Sequence, residues 1–264
     1  MTTGTASLVP IIPMVHFIGA GPGDPELLTL KGKRLIEEAG LVLYAGSLVP
    51  PEVVACANTS AEVIDSAPLN LEETHALMTR AIRAGKTVAR VHTGDPSLYG
   101  AIREQMTLLD REGIAYDTTP GVTASFATAA AACRSFTVPE ATQTLIITRL
   151  AGRTPVPEAE SLRRLAAHGA AMAIYLSAGD PEKIQAELLA GGLPESTLVT
   201  MGYRVGWPDQ QVVECTLNTL AQTARTNGFT KQTVFLVLPG EAAGEAASLL
   251  YDKTFTHQFR KGRE

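Results

Sequence analysis

Apolar residues in this chain form short runs that alternate with stretches in which they recur every three or four positions. The first run, residues 14–18, breaks into GAGPGDP at residues 19–25, and helical periodicity follows over residues 26–39. Short apolar runs bounded by turn signals predict buried strands, and the longer spacing predicts amphipathic helices. Because this strand–loop–helix unit recurs, the sequence predicts a mostly parallel, doubly wound α/β sheet.

The same pattern continues through both halves of the chain. In the first half, the remaining predicted strands are 41–44, 61–64, 87–91 and 115–119, and the main predicted helices are 70–84 and 97–112. A second half begins near Thr144, with predicted strands 145–148, 171–176, 197–201, 211–215 and 233–238 and predicted helices 158–168, 182–190 and 217–226. Asn70 is a predicted helix N-cap, and Gly85 ends that helix.

The tripeptide Gly-Asp-Pro occurs three times, at residues 23–25, 94–96 and 179–181, each time between an apolar run and a helix. Turn chemistry alone accounts for it, since Gly frees the backbone, Asp caps and Pro suits the first helical turn. That explanation suffices at 179–181. The first two loops carry further glycines at the ends of strands, where open α/β sheets bind ligands, so a ligand role is favoured there.

The first glycine loop departs from the common nucleotide-binding motifs. A dinucleotide fold needs G-x-G-x-x-G and an acid at the end of the second strand. Here the glycines are residues 19, 21 and 23, and the second strand ends in Tyr44-Ala-Gly-Ser47 without a carboxylate. A P-loop is excluded because Pro22 removes a backbone N–H and Lys31-Gly-Lys33 lies too far along the chain. The common fold that binds S-adenosylmethionine also uses the missing acid, so such a donor would be held in another way.

Composition narrows the class of protein. The 264 residues are 45% hydrophobic and 19% charged, so the chain can bury a complete hydrophobic core without stabilising disulfides or metals. Its net charge of −5 argues against a nucleic-acid-binding protein. The three cysteines, Cys56, Cys133 and Cys215, are far apart and show neither a disulfide framework nor a zinc-site spacing, so we expect a protein of the reducing cytoplasm. The five histidines are also scattered, so no metal site is predicted. Prolines interrupt residues 1–13, and the longest apolar run, residues 169–179, is too short to span a membrane, so we expect a soluble protein without a signal peptide.

Three motifs in order resemble the tetrapyrrole methyltransferases, which include the uroporphyrinogen and precorrin C-methyltransferases. They are Phe17–Pro25 followed by Leu28–Lys31, then Thr93–Pro96, and then Pro120–Ala124. Shorter matches resemble most the branch that methylates precorrin-4 at C-11 in cobalamin biosynthesis. These shorter matches are residues 44–49, 204–210 and the tail 251–260.

The resemblance implies two α/β domains with a cofactor cleft between them. Residues 14–140 would form a mostly parallel N-terminal sheet domain, residues 141–250 a mixed C-terminal sheet domain, and residues 1–13 and 251–264 terminal segments. The resemblance also implies S-adenosylmethionine as methyl donor, an anionic tetrapyrrole as substrate, and a homodimer. No metal, membrane or nucleic-acid partner is expected.

The same resemblance implies which residues contact each ligand. The cofactor-binding residues would be Pro22, Thr93, Gly94, Asp95, Leu98, Thr123, Ala124, Leu176, Val205 and Pro239. The weaker substrate candidates are Tyr44, Ser47 and Arg103. Arginines near predicted strand ends could bind the substrate carboxylates, although a structural ion pair is the simpler explanation for each. These arginines are Arg90, Arg103, Arg134, Arg149 and Arg204.

No catalytic residue is assigned, because displacement at a sulfonium needs no acid for the leaving thioether, and Asp95 is more simply explained as a turn cap. The expected activity is therefore methyl transfer from S-adenosylmethionine to C-11 of precorrin-4 or its cobalt form. One alternative is a methyltransferase acting at a different ring carbon, including those of uroporphyrinogen III. A distant alternative is a non-catalytic dinucleotide-binding module.

Overall fold

The computed structural model describes residues 12–243, Ser248 and residues 252–263. Contacts divide the chain into two compact units, Met1–Thr123 and Ala124–Glu264. Most of the predicted N-terminal segment, and Tyr251 at the start of the tail, lie outside the described residues.

The first unit is built on a five-stranded sheet in the order β3-β2-β4-β1-β5, in which every neighbouring pair is parallel. Its strands are β1 (Val15–Gly19), β2 (Leu41–Tyr44), β3 (Glu62–Asp65), β4 (Val88–His92) and β5 (Tyr116–Thr119). Its α-helices are α1 (Leu30–Glu38), α2 (Pro51–Val54), α3 (Leu71–Arg83) and α4 (Ile102–Arg111). The predicted parallel sheet is confirmed.

Apolar clusters cover both faces of this sheet. Ile18, Ile36 and Val42 belong to the cluster on one face, and Phe17 and Met78 belong to the cluster on the other. Strand β1 lies between β4 and β5. The chain places β2, β3 and β4 on one side of β1 and then crosses to place β5 on the other side. The loops after β1, β4 and β5 therefore leave the same edge side by side, which is where doubly wound sheets bind ligands.

Two helices in this unit begin later than their periodicity predicts. The predicted helix 26–39 is divided into a 3₁₀ turn at Pro25–Leu27 and helix α1, because Leu28 is extended and the Thr29 hydroxyl caps α1 by accepting from Gly32 N at 3.0 Å. The predicted helix 97–112 begins only at Ile102. Tyr99 and Ala101 before it have φ values of 57° and 49°, which an α-helix cannot contain.

The second unit contains a mixed five-stranded sheet in the order β6-β7-β10-β8-β9. Its strands are β6 (Leu145–Arg149), β7 (Ala171–Tyr175), β8 (Leu198–Tyr203), β9 (Gln211–Thr216) and β10 (Thr233–Leu238). Its α-helices are α5 (Ala124–Ala131), α6 (Leu162–Ala166), α7 (Pro181–Ala190) and α8 (Leu220–Thr226). Only the β6–β7 pair is parallel, so the predicted mixed sheet is confirmed.

Helices α6, α7 and α8 share one core cluster with the second sheet, and α5 packs on β8 and β10. Gly202 in β8 makes the approach of α5 possible, since a Cβ there would overlap the Thr128 side chain. The structure thus groups α5 with the second sheet, whereas the sequence-based boundary at residue 140 placed it in the first domain.

Candidate active site

Three loops meet at the carboxyl edge of the first sheet, one after each of β1, β4 and β5. Gly21 and Gly94 exchange two backbone hydrogen bonds, with Gly94 N donating to Gly21 O at 2.7 Å and Gly21 N donating to Gly94 O at 3.3 Å. The Gly121 amide N donates to Asp95 Oδ2 at 3.1 Å, which joins the third loop to the second. The predicted motifs therefore form one hydrogen-bonded assembly.

Glycine is required where these loops touch. A Cβ on Gly19 would lie 2.5 Å from Gly121 N and 2.7 Å from Gly94 O, and a Cβ on Gly121 would lie 2.8 Å from Gly19 Cα. Gly21 and Gly94 also have φ values of 75° and 60°, in the left-handed region. The glycines therefore bring the backbones of three loops into direct contact.

Asp95 differs from the other two aspartates of the Gly-Asp-Pro tripeptides. Asp24 and Asp180 cap the following turns by accepting from Glu26 N and Lys183 N. Asp95 accepts from the Ser97 amide N at 2.9 Å and from its hydroxyl, and its second oxygen accepts from Gly121 N.

Partial burial raises the pKa of Asp95, but hydrogen bonds from Ser97 and Gly121 lower that pKa by more, so its net shift is downward. Asp95 is thus a loop-closing carboxylate that is ionised at neutral pH and weakly basic.

The structure brings together six of the predicted cofactor residues at this edge. Leu98 N donates to Asp95 O at 3.1 Å, and a Cβ on Gly94 would lie 3.6 Å from Thr123 Cα. Pro22 is buried next to Gly21 in the first loop. The six residues are Pro22, Thr93, Gly94, Asp95, Leu98 and Thr123.

In the second unit, Leu176 and Val205 lie at one edge of the sheet. Strands β7 and β8 are both antiparallel to β10, so their carboxyl ends point the same way. Leu176 follows β7 with φ of 52° and a side chain that is 70% exposed. Arg204, just before the buried Val205, has φ of 46°.

Non-glycine residues in this left-handed conformation concentrate at functional sites. The sequence carries no signal for this strain, because the predicted strand 171–176 simply continued through Leu176.

Ala124 belongs to the same edge. It begins α5, whose next amide, Ser125 N, donates to the Tyr175 hydroxyl at 2.8 Å at the end of β7. Sequence reasoning did not single out Tyr175 or Ser125, because their contact joins elements 50 residues apart. Pro239 lies at the opposite edge, since antiparallel β10 ends beside the start of β8. The structure therefore does not bring Pro239 together with Leu176 and Val205.

The substrate candidates flank the loop assembly of the first unit. Tyr44 is half-buried at the end of β2, Ser47 is exposed three residues later, and Arg103 is exposed in the first turn of α4.

The other four candidate arginines all have structural partners. Arg134 pairs with Glu214 and Glu241 at 2.8 and 2.9 Å. Arg204 pairs with Asp209 at 2.8 Å and lies 4.0 Å over the Trp207 ring. Arg149 donates to three backbone carbonyls. Arg90 is buried and bonded to neutral groups.

Strand β2 ends at Tyr44 and is followed by Ala45, Gly46 and Ser47, so it lacks the acid that a nucleotide fold needs at the end of its second strand. Asp65, which pairs with Tyr44 at the end of the neighbouring strand β3, accepts from Gly46 N and Ala67 N, each at 2.8 Å. Within residues 12–243, Ser248 and residues 252–263, no cluster of three or more His, Cys, Asp or Glu side chains is arranged to hold a metal ion. None of the helices in that part of the chain is long and apolar enough to cross a membrane.

This chain is similar to known proteins in both sequence and fold. Residues 14–221 match the tetrapyrrole (corrin/porphyrin) methylases. A cobalt-precorrin-4 C(11)-methyltransferase of Priestia megaterium is 48% identical over 254 residues, which are 94% of this chain and 98% of that protein. A precorrin-4 C(11)-methyltransferase of Pseudomonas aeruginosa is 45% identical, over 94% of this chain and 99% of that protein.

Solved structures agree with these relatives. A crystal structure of a cobalt precorrin-4 methyltransferase matches with a TM-score of 0.84 and 47% identity, over 86% of this chain and 95% of that one. A uroporphyrin-III C-methyltransferase of Thermus thermophilus, complexed with S-adenyl homocysteine, matches with a TM-score of 0.70 and 27% identity, over 87% and 99%. The chain therefore belongs to the tetrapyrrole (corrin/porphyrin) methylase family.

Proposed function

We propose that this protein transfers a methyl group from S-adenosylmethionine to C-11 of precorrin-4 or its cobalt form, a step of cobalamin biosynthesis. The observation that carries the proposal is near-full-length identity of 45–48% to relatives named for this reaction, from Priestia megaterium, Methanocaldococcus jannaschii and Pseudomonas aeruginosa. Those names include substrates with and without cobalt, so either form of the substrate is consistent with the proposal.

The loop assembly fits a donor held mainly through backbone and small apolar groups. The contact between Gly21 and Gly94 lies beside Pro22, Thr93 and Thr123, and the glycines let backbone atoms of neighbouring loops meet where a Cβ would clash. This arrangement replaces the carboxylate that ordinary nucleotide folds place on the second strand. In the second unit we propose Ala124, Leu176 and Val205 as further donor contacts, and we omit Pro239 because of its position.

Positioning accounts for most of the catalysis that this site can provide. A bound S-adenosylmethionine would supply a methyl group on a sulfonium: an electron-rich ring carbon would bond to the methyl carbon as the C–S bond breaks, and S-adenosylhomocysteine would leave. Holding two reactants in line can supply ~7–11 kcal/mol of the barrier. Asp95 contributes by fixing the loops, since both its oxygens accept hydrogen bonds from the chain itself. We therefore assign no general base.

The decisive experiment is a turnover assay with the purified protein, S-adenosylmethionine and precorrin-4. We expect a product heavier by one methyl group, with the new methyl at C-11 by NMR. Calorimetry with S-adenosylhomocysteine should show binding in the micromolar range, a free energy of about −8 kcal/mol. A methyl at another ring carbon, such as C-17 or C-20, would contradict the proposed position and favour the alternative family activity.

We further propose that the protein acts in the cytoplasm as a homodimer with no resident metal. The homodimer is testable by light scattering coupled to size-exclusion chromatography, which should give about twice the 27.9 kDa mass of one chain. Elemental analysis of the purified protein should find substoichiometric zinc, iron and cobalt.

A further inference from the structure

Arg90 is a cation in the middle of the first sheet, and its hydrogen-bond partners among the described residues are all neutral. It lies in β4 with 7% of its surface exposed. Its Nε donates to Gln105 Oε1 at 3.0 Å, and its Nη1 donates to Leu43 O at 3.1 Å and to Ser66 Oγ at 3.0 Å. Burial lowers the pKa of Arg90 to about 10, so the guanidinium still carries its charge at neutral pH.

Burying this cation costs free energy of folding, because a buried charge is favourable only when its hydrogen bonds are made and a counter-charge is near. Apolar residues fill equivalent positions of this sheet, such as Phe17 and Leu43 on the same face. Packing alone therefore does not explain the arginine, whereas the segments that its partners hold do.

One branch of this hydrogen-bond network reaches the end of β2. The Ser66 hydroxyl, which accepts from Arg90, donates to Tyr44 O at 3.0 Å, and Ser66 N donates to the same oxygen at 2.8 Å. Arg90 itself bonds the carbonyl of the preceding residue, Leu43. The backbone that leads into Tyr44–Ser47 is thus fixed by Arg90 and Ser66.

The second branch reaches the start of α4. Gln105, the partner of Arg90 Nε, donates from Nε2 to Ala101 O at 3.1 Å. Ala101 and Tyr99 have left-handed φ values of 49° and 57°. Strained residues persist only where their surroundings over-determine them, and the Gln105 side chain is such a constraint. This turn sets where Arg103, two residues further on, enters the helix.

We propose that Arg90 is a positioning residue for the tetrapyrrole, fixing Tyr44–Ser47 through Ser66 and Arg103 through Gln105. All three substrate candidates then depend on one buried side chain, whereas the cofactor loops are held separately by Gly21, Gly94 and Asp95. The inference rests on the proposed function, because it concerns the substrate of that reaction. It assigns a role to a residue that is not among the ligand contacts proposed above.

The test compares the KM for precorrin-4 with the affinity for S-adenosylhomocysteine in purified full-length variants. In Arg90→Met we expect the KM to rise at least about tenfold, since small misplacements of binding groups have effects of this size. We expect the S-adenosylhomocysteine Kd to stay within about twofold of wild type. Arg90→Lys keeps the positive charge but loses the planar guanidinium with its several donors, so its KM should lie between those of Arg90→Met and wild type.

Ser66→Ala and Gln105→Ala each cut one branch and should raise the KM by less than Arg90→Met does. Adding either to Arg90→Met should have little further effect, because the network is already broken. Arg80→Met, which removes an exposed arginine of α3 that pairs with Glu62 of β3, is the matched control and should behave as wild type.

An unchanged KM in folded Arg90→Met, or a KM and Kd that worsen together, would overturn the positioning role. If Arg90→Met does not fold, the two branch variants decide by the same criteria. A wild-type protein that binds S-adenosylhomocysteine but does not methylate precorrin-4 would instead contradict the proposed function.

Discussion

Asp95 and Asp180 occupy the same place in two copies of Gly-Asp-Pro, yet their surroundings give them different tasks. Asp180 caps the helix that follows it, through Lys183 N at 3.1 Å. Asp95 instead connects two loops that are 26 residues apart in sequence, through Gly121 N. Identical turn chemistry thus serves stability alone in one loop and the shape of the candidate site in the other.

The two aspartates make a matched pair of variants. Asp95→Ala leaves the Gly121 and Ser97 amides without their acceptor, and we expect S-adenosylhomocysteine affinity to fall at least about tenfold, as for loss of a charged hydrogen bond. Asp180→Ala should cost about 1 kcal/mol of unfolding free energy, the usual value of an N-cap, with unchanged affinity. Calorimetry and chemical denaturation measure the two effects, and equal loss of affinity in both variants would contradict the assignment.

Leu176 combines a strained backbone with an exposed apolar side chain, which packing alone does not explain. The left-handed conformation costs a non-glycine residue about 1–2 kcal/mol. Glycine removes that strain but adds about 0.5–1 kcal/mol of unfolded-state entropy. Because the side chain is 70% exposed, its removal sacrifices little burial.

We therefore expect Leu176→Gly to be more stable than wild type by about 0.5–1 kcal/mol but to bind S-adenosylhomocysteine more weakly. Leu176→Ala retains the strain, so it should lose the affinity without gaining stability. Denaturation curves and calorimetry on both variants distinguish strain from contact. A Leu176→Gly protein with wild-type affinity would remove Leu176 from the set of cofactor contacts.

Helix α5 shows how one small residue fixes the packing of an element. A Cβ on Gly202 of β8 would overlap Thr128 of α5 and would lie 2.8 Å from Val205 Cγ2. Thr128 is fully buried, with its hydroxyl donating to Ala124 O at 2.8 Å. The face of α5 that meets the sheet is thus a close-packed contact that the alanine-rich sequence makes possible.

Gly202→Ala should destabilise the protein by about 1–3 kcal/mol, the usual cost of overpacking. Adding Thr128→Ala makes room for the new methyl group, so the double variant should recover most of that loss. A thermal-denaturation cycle should show a coupling of at least about 1 kcal/mol between the two sites. Additive losses would mean that α5 moves away from β8 freely.

Much of the molecule followed from the spacing of apolar residues and turn signals. The parallel first sheet and the capped helix α3 were predicted from the local sequence and are confirmed. The mixed second sheet was implied by the family resemblance and is also confirmed. The Asp95–Gly121 bond, the left-handed Leu176 and the break at Leu28 were not predicted, since each depends on a contact or conformation set by distant residues. Pro239 was paired with Leu176 because the antiparallel direction of β10 is not readable from its apolar run.

We expect His92 to make the stability of the whole protein depend on pH. Burial, and then the charge of Arg90, lower the pKa of His92 to about 3, whereas an unfolded histidine has a pKa of about 6.5. Since the folded pKa is the lower one, this stability is fully present above about pH 6.5 and is lost as the pH falls toward 3. The slope from one group is at most about 1.4 kcal/mol per pH unit.

Urea denaturation of wild type at pH 7, 6, 5 and 4 should therefore show falling stability, with a shallower fall in His92→Gln. His168→Gln, at an exposed histidine, should follow the wild-type slope. Parallel slopes for all three proteins would mean that other groups cause the acid sensitivity.

The contact between Gly21, Gly94 and Gly121 has a consequence for the dynamics of the first unit. Loop amides normally exchange their hydrogens with water quickly, because their hydrogen bonds open without disturbing the core. Here each of the three amides donates to an acceptor on a loop other than its own. Each hydrogen bond therefore opens only when the ends of the strands separate. Their exchange should therefore be as slow as that of β1 and β4, and the loops would open together with the sheet.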